Sequence, residues 1–263
     1  MHTNVTGGQR VIITKQPDDK LVVTSGFATR GTVMSPDSYK FDGGYILVID
    51  SVMFPPQSFE STAMNAYTDF REFVNALART GVWEFLDTRA DVTVFAPTNE
   101  AFERISNCPM DSLKLQQVLR YHIYPDTIFH SWDLRNGTVV NNPQGPGVNV
   151  TRQGNFIFAN SAQLLQTDVL IANGVVHMID NVLNPQNTLQ VPDPSLSHQD
   201  PVFGPECDAS RKPGSGSGRS GTATFYPLPS STPSDGESAA ARHGAVGFVV
   251  GMGLVAGVMV IAL

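Results

Sequence analysis

The chain has 263 residues, 41% of them apolar, and a formal net charge of −7. That length and apolar content allow a sizeable core, with one full domain plus flanks as the natural division, and an acidic balance without a basic block excludes a nucleic-acid footprint. The two cysteines, Cys108 and Cys207, are too few and too far apart for a Cys-x-x-Cys metal site, which leaves either one disulfide or two buried thiols.

The first residues, Met1-His2-Thr3-Asn4-Val5-Thr6-Gly7-Gly8, are polar and no apolar run follows, so no signal peptide is read there. Strand-like runs come next, Gln9 to Ile13, Lys20 to Thr24 and Tyr45 to Val52. The stretch Gly44 to Pro55 (GYILVIDSVMFP) returns as Gly174 to Pro185 (GVVHMIDNVLNP), displaced by about 130 residues, which is a domain length rather than a solenoid period. Only the second copy has a full domain in front of it. Residues 1–56 therefore read as the C-terminal portion of a first unit, and the product is expected to begin upstream, with the missing helices and a signal peptide.

In the second unit, residues 58–185, Phe70, Phe73, Val74 and Leu77 recur at helical spacing, Gly81 supplies a stop, and a short helix holds Trp83, Phe85 and Leu86. Val92 to Ala96 alternates as a strand, Pro97 ends it, and Thr98 is placed to cap a short helix carrying Ala101, Phe102 and Ile105. Asp111 can cap the next helix, whose Leu115, Val118, Leu119 and His122 share one face, so His122 is directed toward the core. After Pro125 the pattern turns to strands: Val148 to Arg152, Phe156 to Ala159, Val169 to Ala172 and Val175 to Asp180.

Residues 186–243 read as a disordered stalk, since Thr188 to His243 is about half Ser, Thr, Pro and Gly; as a flexible coil its ends would lie about 40 Å apart. Residues 244–263 are an apolar segment. From Ala245 to Leu263 no charge interrupts it, and a helix of that length would extend about 28 Å, close to a bilayer's hydrocarbon thickness. Small residues at Ser234 to Ser238, a spacer through Arg242-His243 and the apolar tail match a glycosylphosphatidylinositol signal, with Gly236 the preferred attachment residue and Ser234 or Ser238 the alternatives. A retained transmembrane helix is the competing reading, opposed by the lack of Lys or Arg beyond the tail.

Thr93 to Phe102 (TVFAPTNEAF), then Tyr121-His122, then Asn173 to Leu183 (NGVVHMIDNVL) follow in the order and spacing of a fasciclin domain, which the chain resembles fully over about Ser58 to Pro185. The fragment up to Pro56 resembles only the closing part of such a domain, with Leu47 where the full copy has His177 and Gly43 where it has Asn173. The resemblance implies an α/β fold in which a β-wedge packs against a small helical layer, no cofactor, no enzyme activity, and extracellular adhesion or matrix roles. In animal members Tyr121-His122 would suggest receptor contact; physically, a histidine on an apolar helix face is more often a hydrogen-bonded core group.

A catalytic or metal site built from His122, His177 and Asp180 is not expected, because residues three apart on a strand point to opposite faces. No Gly-x-Ser-x-Gly, His-Glu-x-x-His or phosphate loop occurs. Sequons stand at Asn4, Asn136 and Asn149. The expected function is a cell-surface adhesion or wall-associated protein, glycosylated and membrane-anchored. It would contact matrix or wall polymer, glycan or a cell-surface protein, with weak self-association among anchored copies. Two alternatives are an organelle tether facing a vacuolar lumen and a wall-carbohydrate hydrolase using Asp87, Asp91 or Glu100; for Glu100, favourable charge at a helix start is the simpler account.

Overall fold

The computed structural model describes residues 10–34, 39–42, 44–105, 108, 110–196, 198–203 and 207, and the backbone of 249–250 and 258–262. The chain divides into two compact units.

The first unit is built on short antiparallel strands. Strands β1 (Ile12–Lys15), β2 (Leu21–Thr24) and β3 (Arg30–Thr32) form one sheet in that order. Strands β4 (Tyr39–Phe41) and β5 (Gly44–Val48) belong to another, where β5 also pairs antiparallel with a C-terminal strand, Val258–Ala262, itself paired with Val249–Val250. A small core of Val11, Val23, Val33, Leu47, Ile49 and Met53 holds the unit. The run expected to extend to Val52 ends as a strand at Val48, and Ile49 adds one bridge to Val33.

In the second unit the helices come first: α1 (Phe59–Asn65), α2 (Arg71–Thr80) and α3 (Trp83–Asp87). Helix α2 turns Phe73, Val74, Ala76 and Leu77 inward and stops at Gly81, whose left-handed φ of 72° suits a residue without Cβ. Strand β6 (Val92–Pro97) is buried along its whole length, as expected of a central strand covered on both faces. Thr98 caps α4 (Asn99–Glu103) by accepting the Ala101 amide at 3.2 Å, and Asp111 caps α5 (Ser112–Tyr121) through the Lys114 amide at 2.7 Å.

Strands β7 (Ile123–Tyr124), β8 (Val139–Val140), β9 (Val148–Gln153), β10 (Phe156–Ala159), β11 (Ala162–Ile171) and β12 (Gly174–Ile179) complete a mixed sheet ordered β7-β6-β12-β11-β10-β9-β8. The parallel pair of β12 on β6 sets Gly174 opposite Val92 and Ile179 opposite Pro97. A Cβ at Gly174 would lie 1.9 Å from the Val92 carbonyl oxygen, so only glycine starts this strand. The core gathers Phe95, Tyr121, Tyr124, Leu134, Val148, Val150, Ile179 and Leu183.

The repeated aspartates do the same work in both units. Asp180 donates its amide to the Gln163 carbonyl (3.0 Å) and accepts the Gln163 amide on its carboxylate (2.6 Å). Asp50 does likewise with Thr32, at 3.1 and 2.7 Å.

Within the stretch expected as a stalk from residue 186, the first part carries buried residues. Gln199, Val202 and Phe203 are buried, because side chains of the domain hold the backbone of 199–202. Residues 211–243, with Gly236, Ser234 and Ser238, lie outside the described residues, as does Asn4. Among the described residues no helix is long and apolar enough to cross a membrane.

Candidate functional site

His122 follows α5 and is fully buried, its ring 5.5 Å from that of Phe73. Nδ1 lies 2.7 Å from the Val118 carbonyl and must donate to it, while Nε2 accepts the Leu183 amide at 2.9 Å. This fixes one neutral tautomer. Protonation would set two N–H donors against each other, and burial, against the pull of the Val118 carbonyl, lowers the pKa to about 4. The ring thereby joins the end of α5 to the segment after β12. Tyr121 beside it is also fully buried, with burial raising its pKa, and Gly145 leaves room for its ring. Both side chains are enclosed by their own domain.

His177, on β12, has the opposite tautomer. Nε2 donates to the Phe129 carbonyl at 2.7 Å and Nδ1 accepts the Asp168 amide at 3.3 Å. Burial lowers its pKa as well. Asp168 adopts a left-handed φ of 59° on β11 and accepts the Ser131 amide at 2.9 Å, with His130 Nδ1 at 3.2 Å. Burial opposes its charge, but the bonds from His130 and Ser131 outweigh it and hold the carboxyl at about 2. Asp180 points elsewhere, so His177 and Asp180 do not converge. Burial pushes its carboxyl up to about 6 despite the amides of Gln199 and Gln163.

In the opening motif, Thr98 and Asn99 likewise hold backbone groups of the domain, while Glu100 is exposed. Asn99 accepts the Glu72 amide at 2.9 Å and donates to the Thr68 carbonyl at 2.9 Å, closing the start of α2 from a neighbouring helix. Glu100 pairs with Arg104 at 2.8 Å, one turn along α4. Among the described residues no group of three or more His, Cys, Asp or Glu is placed to hold a metal ion.

The family model that matches residues 68–185 is that of the fasciclin domain. The chain contains a fasciclin domain. It is 31% identical over 205 residues to a fasciclin-like arabinogalactan protein of Arthroderma benhamiae, covering 76% of this chain and 47% of that protein. It is 29% identical over 154 residues to human periostin, covering 56% of this chain and 18% of that one. The chain spans 47%, 62% and 47% of the lengths of three fasciclin-like arabinogalactan proteins that it matches. Among solved structures, a FAS1 domain pair from the insect cell adhesion molecule Fasciclin I aligns at 17% identity with a TM-score of 0.43, over 68% of each chain.

The fasciclin domain also carries a clamp that sequence reasoning missed. Asn181 donates to the Asp200 carbonyl at 2.6 Å, Asp180 accepts the Gln199 amide at 3.2 Å, and Arg104 reaches the Gln199 carbonyl at 3.3 Å. Asn184 and Asn187 both donate to the Val202 carbonyl, at 3.4 and 3.3 Å. Beyond this strap, Cys207 is disulfide-bonded to Cys108, ahead of α5. Asp180, Asn181, Asn184 and Asn187 are thus the strap's hydrogen-bond partners. A hollow beside it is lined by polar and apolar side chains together, among them Ser161, Gln190, Val191, Asp193, Leu196 and Gln199.

Of the sequons, Asn136 and Asn149 are exposed on the fasciclin domain. Asn136 sits in the turn before β8, where its Oδ1 accepts the Arg152 amide at 2.8 Å, and Asn149 stands on β9 opposite the exposed Val139.

Proposed function

We propose that this chain is a non-enzymatic adhesion or wall-associated protein that displays its fasciclin domain at the cell surface from a membrane anchor. The observation that carries the reading is the inward direction of the motif side chains. Thr98, Asn99, His122, His177, Asp180 and Asn181 all hold backbone groups of their own domain, so the motifs build a rigid body whose outer faces are left for contact. The arabinogalactan proteins among the relatives agree with a glycan-bearing surface chain, and the exposure of Asn136 and Asn149 supports glycosylation there. The partners are matrix or wall polymer, glycan or a cell-surface protein, with weak contacts reinforced between anchored copies. The apolar tail supports a lipid anchor attached at Gly236, or at Ser234 or Ser238.

Intact source cells treated with a membrane-impermeant biotin reagent and then with phosphatidylinositol-specific phospholipase C provide the test. Labelled chain released into the medium is the expected result. Labelled chain that stays with the membrane replaces the lipid anchor with a transmembrane segment, and unlabelled chain refutes surface display.

A further inference from the structure

In the fasciclin domain, residues 129–135 form a loop fastened from four strands. Thr93 on β6 accepts the Phe129 amide at 2.8 Å, and His177 on β12 holds the Phe129 carbonyl. Asp168 on β11 takes the Ser131 amide and approaches His130. Arg152 on β9 donates to the Leu134 carbonyl at 2.7 Å and to the Ser131 carbonyl. Within the loop, Asp133 accepts the His130 amide at 3.1 Å, and Leu134 is buried in the core.

At the tip stands Trp132, 37% exposed, its ring stacked on His130 at 4.2 Å between centroids and 19° between planes. A large aromatic left in water at the end of a loop fixed from so many sides is what binding loops on rigid scaffolds share. The left-handed backbone of Asp168, uncommon for a residue other than glycine, is one of the supports that aims it.

The surroundings select the ligand. Asp133, Arg135 and Asn136, which follow Trp132 in the chain, and Arg152, which holds the Ser131 and Leu134 carbonyls of the same loop, are exposed and polar. A sugar ring lays its C–H face on an indole and offers hydroxyls to polar groups around it, and among the described residues no exposed apolar side chain adjoins Trp132 along this loop to extend the contact into an apolar patch. Arg135 and Arg152 are balanced by Asp133 and Asp168, so the site draws in no polyanion. We propose that Trp132 is a stacking platform for a neutral polysaccharide of the wall or matrix, a proposal that rests on the adhesion reading above and gives it a ligand class.

The test uses the full chain, as wild type, Trp132→Ala and Trp132→Phe, mixed with washed particles of insoluble β-glucan, chitin and mannan. Circular dichroism and urea midpoints check the fold. Retention of the wild type on at least one polysaccharide is expected, with at least tenfold weaker retention of Trp132→Ala and an intermediate value for Trp132→Phe. Equal retention of wild type and Trp132→Ala overturns the proposal, as does no retention of wild type on any of the three. If Trp132→Ala unfolds, fluorescence of Trp132 in a Trp83→Phe chain decides: a saturable change with soluble oligosaccharides of the same three classes supports the site, and none overturns it. Wild-type adhesion to isolated walls separates the two readings. Adhesion that depends on Trp132 after enzymatic removal of polysaccharide assigns the site to a protein and overturns the proposal while leaving surface adhesion intact; no adhesion at all sinks both.

Discussion

Replacing His122 with Phe should destabilise the fasciclin domain strongly at pH 7 and much less at pH 5. The substitution keeps an aromatic ring beside Phe73 but leaves the Leu183 amide without its acceptor and the Val118 carbonyl without the ring donor. Two such buried groups together cost roughly 3 kcal/mol. Wild type pays a different cost in acid. Unfolded His122 titrates near its ordinary value of 6.5, whereas the folded ring is held near about 4, so the unfolded state binds more protons and stability falls as pH drops through that window. With those two values, linkage gives a loss of about 2 kcal/mol between pH 7 and pH 5. Phenylalanine has no such loss, so the difference between the two proteins should shrink to about 1 kcal/mol at pH 5. Asp180 acts in the opposite sense. Its raised folded value makes the folded state the better proton binder between about 4 and 6, but it is present in both proteins and cancels from the difference. Urea unfolding at the two pH values, followed by the fluorescence of Trp83 and Trp132, measures the quantity. An equal gap between wild type and variant at pH 5 and pH 7, or an imidazole signal of His122 titrating near 6.5, would refute a buried neutral ring.

Four further outcomes are expected. Gly174→Ala should prevent normal folding or cost more than about 3 kcal/mol, because its Cβ meets the Val92 carbonyl across the parallel pair; a native-like amide spectrum with unchanged midpoint would contradict this. Thr98→Ala should cost about 1 kcal/mol through the lost cap on α4, read as a shift of urea midpoint without change of slope. Reduction of Cys108–Cys207 reopens a 99-residue separation and should lower stability by roughly 4 to 5 kcal/mol on chain-entropy grounds, with protease cleavage moving into residues 188–206 first. Asn181→Ala should speed cleavage in that strap while leaving the sheet's amide protection unchanged; equal cleavage rates would show that the clamp is not what holds it.

Much of the fasciclin domain was legible in the sequence because its signals are local. The spacing of Phe73, Val74 and Leu77, the stop at Gly81, and the passage from Val92 through Pro97 to Thr98 each depend on neighbours within one or two turns. Helix α1 was missed because so short a segment, with Phe59 and Ala63 as its buried apolar residues, shows little periodicity. Strand β11 begins seven residues before the expected run, because Gln163, Gln166 and Thr167 break the apolar alternation of its first half. Long-range roles were not readable. His177 finds the Phe129 carbonyl 48 positions away, and no spacing rule announces it. The strap was hidden by averaging composition from Thr188 to His243. Its first part carries Leu189, Val191, Leu196, Val202 and Phe203 and reaches Gly204 before its first glycine, and that contrast was the available signal. Nothing in the sequence singles out Trp132, because residues 126–147 carry no period to attach it to.

Adhesion itself is the most direct test of the account. Beads coated with the folded chain, and beads coated with chain unfolded by reduction and acid, would be brought against isolated walls and matrix from the source cells, and the fraction retained under flow counted. The account predicts that folded chain holds and unfolded chain does not; retention of both at the level of uncoated beads would contradict it.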